Sequence, residues 1–215
     1  MRVILASSSP RRRELLRGLI GEFDIIPPDV DESSLPGENP RAHAERISGL
    51  KAAATLAKAP PDAGGLLIIA SDTIVTIDGN IIGKPADHAD AVRTLALLSG
   101  RTHSVITAVT LVLRDGLVRT LTSSEETGVT FLPMGEDDIR GYLELVHYMD
   151  KAGSYAAQEH GDRIIERIDG SVTNVIGFPL RRFYIMLTSL GIIDRLPFPS
   201  NREGVSRTPD NHSRA

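Results

Sequence analysis
Hydrophobic and polar positions follow two rhythms along the chain, and the rhythm changes where turn residues stand. Val3 to Ala6 is a short unbroken apolar run, the pattern of a buried strand. Ser9 and Pro10 then mark a helix start, an N-cap serine followed by proline at the first helical position. Leu15, Leu16 and Leu19 supply its apolar face, and Gly18 or Gly21 its stop. Phe23 to Ile26 is a second short apolar run, followed by a loop rich in Pro, Asp and Glu from Pro27 to Glu38. Asn39-Pro40 opens a longer helix through about Lys58.

Leu66 to Ile77 reads as a strand, and Asp78-Gly79 as a two-residue hairpin turn leading to Asn80 through Lys84. Asp87 to Leu98 is a helix closed by Gly100. Thr102 to Leu113, the Asp115-Gly116 turn and the chain from Leu117 form a second hairpin, with another strand at Gly128 to Leu132. Glu136 to Val146 and Pro179 to Leu190 read as helices, separated by a Gly-rich loop and a strand near Ile164 to Ile168. No internal repeat shows. Hairpins mixed with helices predict an α/β (mixed α+β) fold, a central mixed and twisted sheet flanked by helices. Residues 1–195 read as one domain. The polar stretch 200–215 has almost nothing to bury and is expected to be a disordered tail.

Composition narrows the function more than the fold. A net charge of −4 argues against a broad polyanion-binding surface, so no nucleic-acid polymer is expected as a partner. A local basic cluster on that acidic background points instead to a small anionic ligand. The chain has no cysteine, which removes disulfides, thiolate nucleophiles and cysteine metal sites. Any metal must be held by oxygen or histidine, and the six histidines show no metal-site spacing. No apolar run approaches the ~20 residues of a membrane span. The start, MRVILASSS, has too short an apolar core for a signal peptide, so a cytoplasmic protein without membrane contact is expected.

Candidate chemistry begins at the first strand–helix joint. A helix starting at Pro10 leaves free N–H groups and a positive dipole end near the serines. Arg11 and Arg12 worsen that dipole unless an anion compensates, and their forked donors suit phosphate oxygens. A basic helix start with no ligand is the alternative, and Arg13 reads as plain surface. Asp31-Glu32 is either a solvated turn or a metal or substrate contact. Lys51 falls among Ala44, Ile47 and Ala54 on the helical wheel, so it either snorkels outward or meets an anion at the core's edge.

Asp72 sits inside an apolar strand run, where aspartate is disfavoured. With Asp78-Gly79 as the turn, Ile77 pairs with Asn80, and counting back pairs Thr73 with Lys84. Asp72 and Lys84 are then diagonal neighbours, either as a buried ion pair or as a general base beside a phosphate-binding lysine. In Asp150 to Gln158, a loop of small residues, Gln158 has both donor and acceptor and suits the edge of a base. A plain helix-to-strand connection explains that loop as well. No Walker-type loop and no GxSxG elbow is present.

Taken together, "LASSSPRRRELL", "DVDES", "ERISGLKA", "ASDTIV", "GKP", "SGRTHSVITAV", "DKAGSYAAQ" and "NVIGFPL" resemble, in content and order, the Maf family of nucleoside triphosphate pyrophosphatases. The resemblance runs from Met1 to about Leu190. It implies an elongated fold like that of Maf and ITPase proteins, two lobes around a cleft, often in a homodimer. It also implies hydrolysis of a nucleoside triphosphate to monophosphate and pyrophosphate with a divalent cation, Mg²⁺ or Mn²⁺. Asp72 matches the family's proton acceptor; Ser9, Arg12, Glu32, Lys51 and Lys84 match its substrate- and metal-site residues. Within that set, Asp72 and Glu32 are the expected metal ligands, and Ser9, Arg12, Lys51 and Lys84 the phosphate ligands. Arg11, Thr73 and Gln158 match the branch similar to dTTP/UTP pyrophosphatases, although Ala156 and Glu159 stand where that branch often has glycines. The implied role is to keep noncanonical nucleotides from incorporation. Two rivals stand beside it: a nucleotide-binding regulator of cell division with little turnover, and a pyrophosphatase for another base such as 7-methyl-GTP.

Overall fold
The computed structural model describes residues 1–60, 64–196 and 198, and the expected tail at 200–215 lies outside them. The chain runs β1 (Arg2–Ala6), α1 (Pro10–Ile20), β2 (Asp24–Ile25), α2 (Pro40–Lys58), β3 (Leu66–Ile77), β4 (Asn80–Ile82), α3 (His88–Leu98), β5 (Thr102–Arg114) and β6 (Val118–Phe131). It continues through α4 (Glu136–Leu143), β7 (Ile165–Asp169), α5 (Val172–Ile176) and α6 (Leu180–Leu190). The strands form one mixed sheet in the order β2-β1-β3-β5-β6-β7, with β4 paired to β3. β1 is parallel to both β2 and β3, and the remaining pairs are antiparallel.

β3 is apolar on both faces because helices cover both, as buried central strands require. On one face Leu66, Ile68 and Ala70 meet Ala52 of α2, and further along Ile74 joins Ala44 of the same helix. The opposite face is divided. Leu67 and Ile69 enter a core roofed by Leu16 and Ile20 of α1 and Phe183 and Leu187 of α6. Val75 and Ile77 enter a second core with Ala91 and Leu95 of α3 and Ile139 and Tyr142 of α4. β5 repeats the division, with Val109 and Leu111 in the first core and Val105 in the second. Between the two cores lie Ser71 and Thr73 on β3 and Thr107 on β5. Two lobes thus share one sheet face, separated by a belt of hydroxyl groups.

Several expectations change. The hairpin register holds at Ile77↔Asn80, Thr76↔Ile81 and Val75↔Ile82, but the ladder ends there. Thr73 is therefore not paired with Lys84. Gly83 leaves the sheet and its carbonyl instead accepts the Gly153 N–H at 3.1 Å. β6 is one strand of 14 residues, not two pieces, and pairs with β5 from Thr102↔Thr130 to Arg114↔Val118. Its Ser, Thr and Glu positions hide the strand from hydrophobic patterning. α4 ends at Leu143 rather than Val146, and the five-residue α5 was not anticipated.

Candidate functional site
The joint after β1 forms as the residue types require. Ser9 caps α1, its Oγ accepting the Arg12 N–H at 3.4 Å, and the Ser7 Oγ accepts the Ser9 N–H at 3.1 Å. Gly21 closes the helix in the positive-φ region. This joint forms one wall of a cleft of about 250 Å³ over the belt between the lobes. Nine of the residues singled out above line that cleft: Ser9, Arg11, Arg12, Glu32, Lys51, Asp72, Thr73, Lys84 and Gln158; Asp31 does not, its Oδ1 accepting instead from Ser33 in the acidic loop. The nine come from six separate segments of the chain.

Lys51 projects from α2 onto the α2-facing side of β3. Its Nζ lies 2.7 Å from Asp72 Oδ1 and 2.8 Å from Glu32 Oε1. The lysine therefore neither snorkels nor leaves Asp72 to Lys84; it bridges the two carboxylates. Asp72 is buried and Glu32 half-exposed on the acidic loop. Lys84 is exposed and makes no hydrogen bond or ion pair among the described residues. It stands free at the rim.

Asp72 and Glu32 offer oxygen donors only, which suits a hard divalent cation. Mg²⁺ characteristically takes one or two carboxylates and completes its shell with water and substrate phosphate. Among the described residues no group of three or more His, Cys, Asp or Glu side chains gathers to hold a metal. The donor set thus fits a cation shared with a triphosphate rather than one caged by protein alone.

Arg12 turns inward. Its Nε donates to the Gly177 carbonyl at 2.9 Å, Nη1 to the Ser71 carbonyl at 2.7 Å and Nη2 to Thr73 Oγ1 at 2.8 Å. Three of a guanidinium's five N–H donors are thereby committed to the protein, tying α1 to β3 and to the turn after α5. Burial pulls this guanidinium below its ordinary pKa, with the Asp72 charge opposing the shift. Gly177 caps α5 at φ +116°, and a Cβ there would stand 3.3 Å from Thr73 Oγ1.

Arg11, next to it, faces across the cleft and reaches Asp150 Oδ2 at 3.3 Å. Burial raises the Asp150 carboxyl, but bonding to Lys151 and the charges of Lys151, Arg11 and His147 bring it net below the usual range. The loop carrying Asp150 lies close on β3 because Gly153, at φ +73°, has no side chain; a Cβ would sit 3.0 Å from Val75. Tyr155 of that loop is buried, edge-on to Phe131 and His103, with its hydroxyl 2.9 Å from His103 Nε2. Burial lowers the His103 pKa to about 4, so this histidine is a neutral core residue.

The lining divides chemically: Glu32, Lys51 and Asp72 form a charged end, whereas Val75, Val105, Tyr155 and Val175, which pack together in the second core, form an apolar slot, and Ser9, Arg11, Thr73, Lys84, Ala156 and Gln158 complete the lining. Sequence reasoning missed Asp150, Lys151 and Gly177 as lining residues. The first two were visible inside a noted segment, but nothing local marks Gly177 as the acceptor for Arg12.

Comparison with known proteins covers most of the chain. The sequence model of the family described as "Maf-like protein" matches residues 2–190. A dTTP/UTP pyrophosphatase of Symbiobacterium thermophilum is 43% identical over 189 residues, 88% of this chain and 94% of its own. That of Geobacter sulfurreducens is 45% identical over 181 residues, 83% and 91% of the two chains. That of Shewanella oneidensis is 42% identical over 198 residues, covering 90% of this chain and all of its own. Among solved structures, the Ham1 protein of Staphylococcus aureus covers 88% of this chain with a TM-score of 0.47 and 12% identity.

Proposed function
Because the chain belongs to the Maf-like family, we propose that it is a nucleoside triphosphate pyrophosphatase that cleaves dTTP and UTP to the monophosphate and pyrophosphate. The observation that carries the residue assignment is the Lys51 bridge between Asp72 and Glu32 at the charged end of a cleft whose other end is an apolar slot. A triphosphate with its cation suits the first end, and a flat pyrimidine suits the second.

In this reading water attacks the α-phosphorus in line. A new P–O bond forms, the bridging bond between the α- and β-phosphates breaks, and pyrophosphate leaves with the electron pair. Asp72 takes the proton from the attacking water, as a positioned carboxylate can. Lys51 orients that carboxylate through its 2.7 Å contact and puts positive charge beside the reacting phosphate. Lys84, free at the rim, and the capped start of α1 at Ser9 receive the remaining phosphate charge. Arg12 adds charge with its two uncommitted donors while its other three hold the wall in place. Asp72 and Glu32 would hold Mg²⁺ or Mn²⁺, which supplies charge neutralisation and phosphate orientation when bound. Arg11, Thr73 and Gln158 edge the slot and select the base.

The test is pyrophosphate release by the purified protein with Mg²⁺ over a panel of dTTP, UTP, CTP and 7-methyl-GTP. Turnover should be highest with dTTP and UTP, and Asp72→Asn should lower it by about 10²–10⁴-fold, the usual scale of a lost general base. Parent-rate hydrolysis by Asp72→Asn would remove Asp72 from the mechanism. Binding without pyrophosphate release would make the protein a nucleotide sensor instead.

A further inference from the structure
The hydroxyl belt between the lobes carries a hydrogen-bond chain whose direction is fixed. Thr107 lies on β5 directly opposite Thr73 and is fully buried. Its hydroxyl donates to the Asn174 backbone carbonyl at 2.9 Å. A hydroxyl has one proton, so at the 3.1 Å contact between the two threonines Thr73 must be the donor. The other inward acceptor for Thr73 is the Gly177 carbonyl at 3.5 Å, which already takes Arg12 Nε and Ser71 Oγ. With that carbonyl already taking two donors at shorter range, Thr107 is the acceptor that draws the Thr73 proton into the protein. Arg12 Nη2 occupies one lone pair of the same oxygen. Thr73 therefore has one acceptor position, and no proton, left for the cleft it lines.

We propose that Thr107 is a positioning residue for base selection. By drawing the Thr73 proton inward it makes Thr73 an acceptor only. Uracil and thymine present an N3–H donor to such a group. Cytosine presents an unprotonated N3, so lone pair meets lone pair and a buried acceptor is left without a partner. The anchor of the chain is itself fixed. Asn174 is fully buried and its Nδ2 donates to the Val105 carbonyl at 2.9 Å and to Thr127 Oγ1 at 3.0 Å. The inference rests on the assignment of Thr73 to the base end of the cleft.

Thr107→Val removes the acceptor and frees the Thr73 hydroxyl to turn outward; Thr107→Ser keeps the hydroxyl. With kcat/KM measured for UTP, dTTP and CTP, the UTP-to-CTP ratio should fall about tenfold in Thr107→Val, the scale of one hydrogen bond. It should return in Thr107→Ser. An unchanged ratio in Thr107→Val, or equal loss in both variants, overturns the proposal. Thr73→Val, measured in parallel, separates the two layers. If it leaves the ratio unchanged, Thr73 does not face the base; if it shifts the ratio and Thr107→Val does not, Thr107 alone is misassigned. N3-methyl-UTP tests the same point on the unaltered protein. The methyl removes the N3 donor, so turnover should fall at least about tenfold below UTP, and equal turnover overturns the acceptor-only role.

Discussion

Asp72 and Thr73 are consecutive on β3, and strand alternation sends their side chains to opposite faces. Asp72 points toward α2 and meets a charge, the Lys51 ammonium, which Glu32 also shares. Thr73 points toward the divided face and meets neutral groups, the Thr107 hydroxyl and the Gly177 carbonyl, with Arg12 as its one charged contact. The difference separates two tasks. Charge beside Asp72 serves a reaction in which charge moves, whereas a chain of oriented hydroxyls distinguishes donor from acceptor on a base and has little to add to bond breaking. One strand can do both because its period of two keeps the machineries apart.

Removing the shared charge is the hardest blow to the Asp72 side. Lys51→Met leaves a buried carboxylate beside a second one without the ammonium that bridges them, a change that costs on the order of 3 kcal/mol when a buried partner is lost. The unfolding midpoint should drop and pyrophosphatase activity should fall steeply. The same variant should bind Mn²⁺ alone, without nucleotide, more tightly than the parent, because two carboxylates lose the ammonium that neutralises them. A Mn²⁺ titration reads this directly. Binding no tighter than the parent's would mean that Lys51 does not compete for those oxygens. The UTP-to-CTP ratio should stay near the parent value, since the Thr73 side is untouched.

Much of this division was legible in the sequence. Ser9-Pro10 and Asn39-Pro40 announce their helices because capping is local chemistry, and the Asp78-Gly79 turn sets its register without help. Asp72 stood out as a carboxylate in an apolar run. Its partner was misread, because extending the hairpin ladder past Val75↔Ile82 selected Lys84 whereas the real contact comes from a helix 21 positions earlier. Local pairing rules cannot see across a sheet face. Arg12 was expected to spend its donors on phosphate, and its acceptors on Ser71, Thr73 and Gly177 exist only once three elements converge. The belt itself was hidden in "SDT" and "VIT", where isolated hydroxyls read as ordinary strand residues and only the two cores on either side give them meaning.

Gly177 offers a smaller test on the Thr73 side. Its φ of +116° favours glycine, and a Cβ would press on Thr73 Oγ1 at 3.3 Å and approach Arg12 Nε at 3.7 Å. Gly177→Ala should cost about 1–2 kcal/mol in backbone strain, visible as a lower midpoint in urea. It should also disturb the carbonyl that Arg12, Ser71 and Thr73 share, so base selectivity should loosen while Mn²⁺ binding stays as in the parent. Loss of Mn²⁺ binding with intact selectivity would contradict the division between the two sides.

The mildest expected effect is on the loop that delivers Glu32. Glu38 binds Arg46 through both oxygens, at 2.5 and 2.7 Å, and accepts from the Leu35 N–H at 3.1 Å, with His43 Nδ1 at 2.9 Å. Arg46 also holds the Ser33 carbonyl at 2.9 Å, so this cluster pins the acidic loop to α2. The Arg46 hydrogen bonds, opposed by burial and helped by Leu35 and His43, hold the Glu38 carboxyl far below the usual carboxylate range. The sign follows from that direction. A depressed folded-state pKa stabilises above the unfolded value of about 4.3, and the gain is lost as pH falls through the folded value. The parent loop should therefore stay pinned through mild acid, and the stability difference between parent and Glu38→Gln should be constant near neutrality and shrink only below about pH 4. At neutral pH the variant should raise KM for dTTP with Mg²⁺ several-fold through a looser Glu32, with kcat little changed because Lys51 still orients Asp72. An equal fall in kcat would show that Glu32 acts on the bond-breaking step itself and draw the acidic loop into the Asp72 machinery.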